Sequence, residues 1–323
     1  MPIIIPVISA SGGVGKTTLT LLMAHYLVEY GENPGRILIV DTDPTAGLTL
    51  KIYGDNYDEV NNDRRTLYHM FKDYDKGKNI DIDDYVTTPS EYNDKYNSYV
   101  NTNTLLNVKV LPPGEDDEGD LSSLITQWLG EFGRGDALFN ILNKSGALSR
   151  FNYIIIDTAP FFDKRYTSIA LARTDLIKVN MAVIPLRPTL TDIKRTIRMN
   201  HTILRKINNE IKPIFTFNFD KDMLKSEAAA LREAGIEVLA KGGGSSREIR
   251  GAKSLTEVVE AVNGLKSMGK VINVALAYMA SLTRFPEREL KGEEVYTPRC
   301  VISSILSEFT SIKPECDILT EEE

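Results

Sequence analysis

Short stretches of this chain carry side chains whose types and spacing suit work on a phosphorylated, metal-bound ligand. One is Ser11-Gly12-Gly13-Val14-Gly15-Lys16-Thr17-Thr18. Its glycines let successive backbone N–H groups turn inward around phosphate oxygens, and a helix starting there adds the positive end of its dipole. Lys16 is then placed for the β- and γ-phosphates, the Thr17 hydroxyl for Mg2+ and Thr18 for the α-phosphate. Ala10 stands where GxxxxGK[ST] has its first glycine, so the loop is a variant form.

Downstream lies Asp41-Thr42-Asp43-Pro44. Two carboxylates so close to a phosphate loop are costly unless a cation or water uses them. Asp41 is assigned to the Mg2+ shell and Asp43 to orienting an attacking water, making Lys16 and Asp43 the catalytic pair. Two acids that merely cap a loop or the next helix are the plainer alternative. Asp157 ends the run Tyr153-Ile154-Ile155-Ile156 and is the candidate that holds Mg2+ through water. Asn218 ends a later apolar run and can pair with an adenine edge, although a strand-ending Asn is often a turn residue. With no NKxD guanine signature, the expected nucleotide is ATP.

These residues need elements to carry them. Ile3 to Ile8 is apolar but lacks a basic leader and runs into glycines, so it reads as a buried first strand rather than a signal segment. From Thr17 to Tyr30, Leu19, Leu22, Met23, Tyr26 and Leu27 fall at helical spacing, and Gly31 stops the helix. Ile37 to Asp41 is apolar on both faces, as a buried parallel strand is. Further strands are expected at Val108–Leu111, Phe151–Asp157, Met181–Pro185 and Pro213–Asn218, with helices between them. The pattern is α/β: a doubly wound, mostly parallel sheet flanked by helices, the P-loop NTPase architecture, with ligands at the strands' carboxyl ends. All the residues singled out above lie at such ends.

One ATPase domain is expected over residues 1–285. From about 53 to 104 it carries a peripheral insertion, because residues 53–100 hold eight of the fourteen tyrosines and eleven acids against six bases. A short helix over Thr66 to Phe71 and otherwise loop or partner surface is the expectation there. Residues 286–323 read as an acidic tail with a loosely held helix and a disordered end. Cys300 and Cys316 have neither zinc spacing nor a nearby His, which fits free thiols in a reducing compartment. The longest late apolar stretch, about Val271 to Leu282, is too short to span a bilayer. The formal net charge of −7 makes whole-surface attraction to nucleic acid unfavourable, so DNA binding needs a local basic face.

The segments GGVGKTT, ILIVDTDP, VLPPG, YIIIDTAP and VIPLRPT resemble the deviant Walker A ATPases, the ParA/MinD class, and most closely the ParA partition ATPases. The resemblance covers Ile3 to about Leu50, Leu105 to Gly114 and Phe151 to about Val262. It implies a cytoplasmic, nucleoid-associated ATPase that forms a homodimer with ATP, binds non-specific DNA and segregates plasmid or chromosomal DNA. It also implies a ParB-like centromere-binding partner that stimulates hydrolysis. The family's signature lysine would stand where this chain has Ser11, and its glutamine after Asp-Pro is Thr45 here. A hydroxyl supplies no charge, so Lys164 or Arg165 is the candidate replacement.

For the DNA face, Lys194, Arg198 and Arg205 fall near one helical face, and Arg247, Arg250 and Lys253 follow the Gly242-Gly243-Gly244 run. Such stripes can neutralise phosphates, although a solvated helix face looks the same in sequence. A MinD-like membrane anchor needs a basic amphipathic end, and this end is acidic. Two alternatives stay open: an ATP-dependent small-molecule ligase with the Tyr-rich insertion as lid, and an ATP-switched scaffold that barely hydrolyses.

Overall fold

The computed structural model describes residues 1–31, 36–92, 104–131, 135–159, 164–171, 177, 179–218, 225–238, 252–276, 279–288, 290 and 292–316. Along the chain run β1 (Ile3–Val7), α1 (Lys16–Tyr30), β2 (Ile37–Asp41), α2 (Gly47–Tyr53), α3 (Tyr57–Asn62), α4 (Leu67–Asp75), β3 (Lys109–Leu111), α5 (Leu121–Glu131) and α6 (Ala137–Lys144). After them come β4 (Tyr153–Asp157), α7 (Lys164–Leu171), β5 (Met181–Leu186), α8 (Leu190–Met199), β6 (Lys212–Phe217), α9 (Lys225–Glu233), α10 (Ala252–Lys266), β7 (Lys270–Val271) and α11 (Tyr296–Leu306).

The strands form one seven-stranded sheet in the order β7-β6-β5-β1-β4-β2-β3, and every pairing within it is parallel. The order reverses around β1, so the crevice at the carboxyl ends of β1, β4 and β2 is where a ligand belongs in such a sheet. Side chains alternate across it. Leu38, Val40, Ile154, Ile156, Ala182 and Ile184 face Met70, Phe71, Ile141, Ile193 and Val262 on one side. Ile37, Ile39, Ile155 and Val183 face Leu19, Met23, Leu27, Val301 and Ile305 on the other. Among the described residues no helix is long and apolar enough to cross a membrane.

Two sequence expectations are corrected. The short helix expected over Thr66 to Phe71 is present as α4, but the segment after Tyr53 is not peripheral: α4 buries Leu67, Met70 and Phe71, and Ile80, Ile82 and Val86 join the same core as β2. Thr66 caps α4 by accepting from the His69 N–H, and the next backbone donors, on Leu67 and Tyr68, reach the carbonyls of Pro112 and Pro113 at 2.7 and 2.8 Å. Polar residues at the turns of this segment hid the apolar ones between them. Residues 93–103, with Tyr96 and Tyr99, lie outside the described residues.

The acidic tail is also corrected over its first part. Helix α11 buries Cys300, Val301, Ile302, Ile305 and Leu306 in the core shared by α1 and one face of the sheet. The reason is legible in α1, whose Leu21 and Ala24 are buried alongside Leu19, Leu22, Met23 and Leu27. A helix apolar on so much of its circumference needs a cover on two sides. Beyond α11 the chain folds back: the Tyr26 hydroxyl donates to Glu315 at 2.9 Å, and Arg299 pairs with the same carboxylate. Cys300 and Cys316 are joined in a disulfide, their Cα atoms 4.7 Å apart. That pairing replaces the free thiols expected from their spacing and removes the argument they gave for a reducing compartment. Residues 317–323 lie outside the described residues.

Gly114 has φ +80°, and a Cβ there would fall 2.1 Å from Thr66 Oγ1, the α4 cap. Gly114→Ala should therefore cost roughly 2–4 kcal/mol, against about 1 kcal/mol for Gly77→Ala, which has φ +74° but open space. Thermal unfolding of the two variants checks this. Equal losses would show that the approach of Gly114 to the cap is not what demands glycine.

Candidate functional site

The loop between β1 and α1 owes its shape to two left-handed residues, Gly13 at φ +68° and Gly15 at φ +84°. Gly15 is the N-cap of α1 and supplies no side-chain bond to the helix's first N–H groups, so those donors face the loop's concavity. A Cβ on Gly15 would stand 3.1 Å from Asn218 Nδ2, which ties the glycine to the end of β6 as well as to its own torsion. Asn218 Nδ2 donates to the Val14 carbonyl at 2.8 Å. The asparagine thus braces the loop, a role its position in sequence did not suggest, and its Oδ1 is buried without a partner.

Lys16 is buried, and its Nζ donates to Ser9 Oγ at 3.1 Å. Ser9 in turn donates to the Ser11 carbonyl at 2.7 Å. Burial pushes the Lys16 ammonium below its ordinary range, and the carboxylates of Asp157 and Asp43 pull it partly back. Thr17 Oγ1 donates to Asp157 Oδ2 at 2.9 Å. The other oxygen of Asp157, Oδ1, is buried with no hydrogen-bond partner among the described residues. A carboxylate oxygen left bare beside a hydroxyl and a lysine is a donor set that suits a hard cation sitting next to phosphate.

Asp41 and Asp157 are register partners at the carboxyl ends of adjacent parallel strands. Both are fully buried, and burial pushes both carboxyls well above the ordinary range. The charge of Asp157 adds to the rise at Asp41, whereas Lys16 and Thr17 oppose it at Asp157. Asp41 is held on both oxygens: Oδ1 accepts from the Asp43 N–H at 3.1 Å, and Oδ2 from the Thr49 N–H at 3.1 Å and hydroxyl at 2.7 Å. Asp43 Oδ1 accepts from the Thr45 N–H and hydroxyl at 2.9 and 2.7 Å. Thr45, standing where the resemblance has glutamine, therefore orients Asp43.

Ser11 is occupied too. Its hydroxyl donates to Asp192 Oδ1 at 2.7 Å, and Arg187 Nε donates to Asp192 Oδ2 at 2.7 Å. Asp192 sits in the first turn of α8 and is buried. The loop is thus pinned to a helix 181 residues further on. Nothing in sequence spacing pointed to Ser9, Thr49, Arg187 or Asp192; their partners meet only in three dimensions. Thr18 receives a bond from Lys51 Nζ on α2 at 3.3 Å, a further residue that sequence reading missed. The loop residue Gly12 is exposed and Val14 buried.

Of the basic residues singled out for DNA, Lys194 and Arg198 are exposed on α8. A π-turn over Asn200–Leu204 then carries the chain to Arg205, exposed in a short helix, Arg205–Ile207. Arg195 and Lys206 are exposed beside them. The second cluster, Arg247 and Arg250, lies outside the described residues, as do the side chains of Lys253, Lys164 and Arg165.

A family model described as an AAA domain matches residues 3–213. Comparison with curated proteins finds no match. Among solved structures, the chain is similar to a Borrelia burgdorferi B31 protein described as a plasmid partition protein and bound to AMPPNP. That pair is 18% identical, with a TM-score of 0.60 over 95% of this chain and 99% of the other. Apo McdA of Cyanothece is similar at 17% identity and a TM-score of 0.61, covering 95% and 100% of the two chains. Cobyrinic acid a,c-diamide synthase of Mycobacterium smegmatis, bound to ADP and magnesium, is similar at 21% and 0.52, covering 84% and 99%. At these identities the likeness is one of fold.

The raised carboxyls give a pH signature. A carboxyl raised by folding keeps its proton after the unfolded chain has lost it, so stability falls as pH climbs from the ordinary range towards the raised one. The nucleotide-free protein should lose stability between about pH 5 and about pH 8, by up to about 1.4 kcal/mol per pH unit for each carboxyl. Asp41→Asn should flatten that slope. Unfolding temperatures across the range check it, and a slope identical in the variant would show that Asp41 does not titrate in this window.

Proposed function

The chain belongs to the AAA-domain family, and from that premise we propose that it is a P-loop ATPase of the ParA/MinD class, which hydrolyses Mg2+-bound ATP, dimerises with ATP and then holds DNA regardless of sequence. The observation that carries the reading is the meeting of Lys16, Thr17, Asp41 and Asp157 beside a left-handed glycine loop at the point where the strand order reverses.

In this reading the N–H groups of Gly12, Gly13, Val14 and Gly15 turn towards the phosphates, and Lys16 meets the β- and γ-phosphates. Thr17, Asp41 and Asp157 hold Mg2+, with the bare Asp157 Oδ1 the unspent ligand or water acceptor. Bound there, Mg2+ supplies charge neutralisation on the phosphates. Asp43, oriented by Thr45, positions the attacking water. Asn218 spends its amide N–H on the loop and keeps Oδ1 for the amino group of adenine. Ser11 has its side chain tied to Asp192 and serves the phosphates through its backbone.

With a net charge of −7, DNA attraction has to be local. The exposed Lys194, Arg195, Arg198, Arg205 and Lys206 form that local face, and Arg247 and Arg250 extend it in sequence. A ParB-like centromere-binding protein is the expected partner, and the cargo is plasmid or chromosomal DNA on the nucleoid. The fold likeness to the cobyrinic acid a,c-diamide synthase supports a second reading, an ATP-dependent ligase. Against it, the 53–92 segment spends Leu67, Phe71, Ile82 and Val86 in the core. The cleft of about 530 Å3 at Tyr74, Lys78, Ile80 and Lys144 has no phosphate-loop residue on its walls.

Binding of random-sequence duplex with ATP, with ADP and without nucleotide, at two salt concentrations, tests the proposal. Binding should need ATP and fall steeply with salt. In the Arg198→Glu/Arg205→Glu variant, affinity should drop at least about tenfold and the log–log salt slope by about 2, with ATP binding intact. Undiminished DNA binding in that variant would remove α8 from the interface. No DNA binding by the wild type in any state would favour the ligase.

A further inference from the structure

Lys51, on α2, is half-buried, and this partial loss of water pushes its ammonium below the ordinary range. A cation partly withdrawn from water is best placed when an anion faces it. Among the described residues Lys51 makes no ion pair. Its Nζ donates to Thr18 Oγ1 at 3.3 Å, and the carboxylate of Glu287 acts on it only as a more distant charge. An ammonium has three donors, and one long bond to a neutral hydroxyl leaves it under-used.

Its place explains the omission. Thr18 lies in the first turn of α1, where N–H groups and the dipole already favour an anion. Lys16 reaches towards Ser9 on the β1 side of the loop, whereas Lys51 arrives from α2, the helix that follows the Asp41–Pro44 loop. We propose that Lys51 is a second phosphate-binding cation, which takes the α-phosphate of the nucleotide held by the loop; this rests on the nucleotide reading above. The same helix presents Thr49 to Asp41 at 2.7 Å, so α2 would hold a carboxylate through one residue and a phosphate through another. Because the α-phosphate is common to ATP and ADP, Lys51 contributes equally to both, unlike a group that meets the γ-phosphate.

The test is Lys51→Met, which keeps the apolar stem and removes the charge, with Lys51→Arg as the conservative variant. Calorimetric titration of ADP and of a non-hydrolysable ATP analogue gives the affinities, and unfolding without nucleotide gives the stability. Lys51→Met should weaken both nucleotides alike, by about tenfold, equivalent to ~1.4 kcal/mol. Its nucleotide-free unfolding temperature should hold or rise, since a half-buried cation without an ion pair has been removed. Lys51→Arg should recover most of the affinity. Wild-type affinity in Lys51→Met, or a loss of nucleotide-free stability with binding unchanged, would overturn the proposal and leave Lys51 a structural prop for Thr18. A wild type that binds neither nucleotide would instead overturn the nucleotide reading itself.

Discussion

The site is built around buried like charges. Asp41 and Asp157 end neighbouring parallel strands in register, away from water, with a lysine as the nearest counter-charge. A sheet that only had to be stable would place apolar residues there, because each ionised carboxylate in that position carries a desolvation penalty. The fold tolerates them by surrounding Asp41 with donors from Thr49 and Asp43 and Asp157 with Thr17 and Lys16. Asp157 Oδ1 remains the exception. The arrangement gains most from a divalent cation, and a phosphate loop alongside is what brings one in.

Much of this was legible in sequence because it is local. The glycine loop is contiguous, its flanking strand and helix follow directly, and Asp41, Asp157 and Asn218 each close an apolar run long enough to read as a strand. The parallel sheet followed from the alternation of such runs with helical segments. What stayed hidden depends on distant segments meeting. The Ser11 hydroxyl finds Asp192 far along the chain. Asn218 turns out to hold the loop through its amide N–H. Lys51 is a surface-type residue whose reach to Thr18 on α1 only the fold reveals.

The two misread regions share a cause. Residues 53–92 mix acids and tyrosines with short apolar groups, residues 296–316 run into an acidic end, and composition averages over both. The helix α4 is expected from sequence, but the burial of its Leu67, Met70 and Phe71 is hidden by the polar residues around them. In α11 the run from Cys300 to Leu306 precedes an acidic end that dominated the average. The all-round apolar surface of α1 was the better guide to the second, since it demanded a cover that the sheet alone cannot give. By packing into the same core as α1, the C-terminal helix steadies the element whose first turn faces the phosphate site.

The central claim is that the buried carboxylates and the loop form one site for a divalent cation and a nucleotide together. Titration of the purified protein with ADP, with and without Mg2+, in wild type and Asp157→Asn, tests it most directly. Mg2+ should tighten binding in the wild type and make little difference in the variant, whose Mg2+-free affinity should equal or exceed that of the wild type. An equal gain from Mg2+ in both proteins would contradict it, placing the cation away from Asp157.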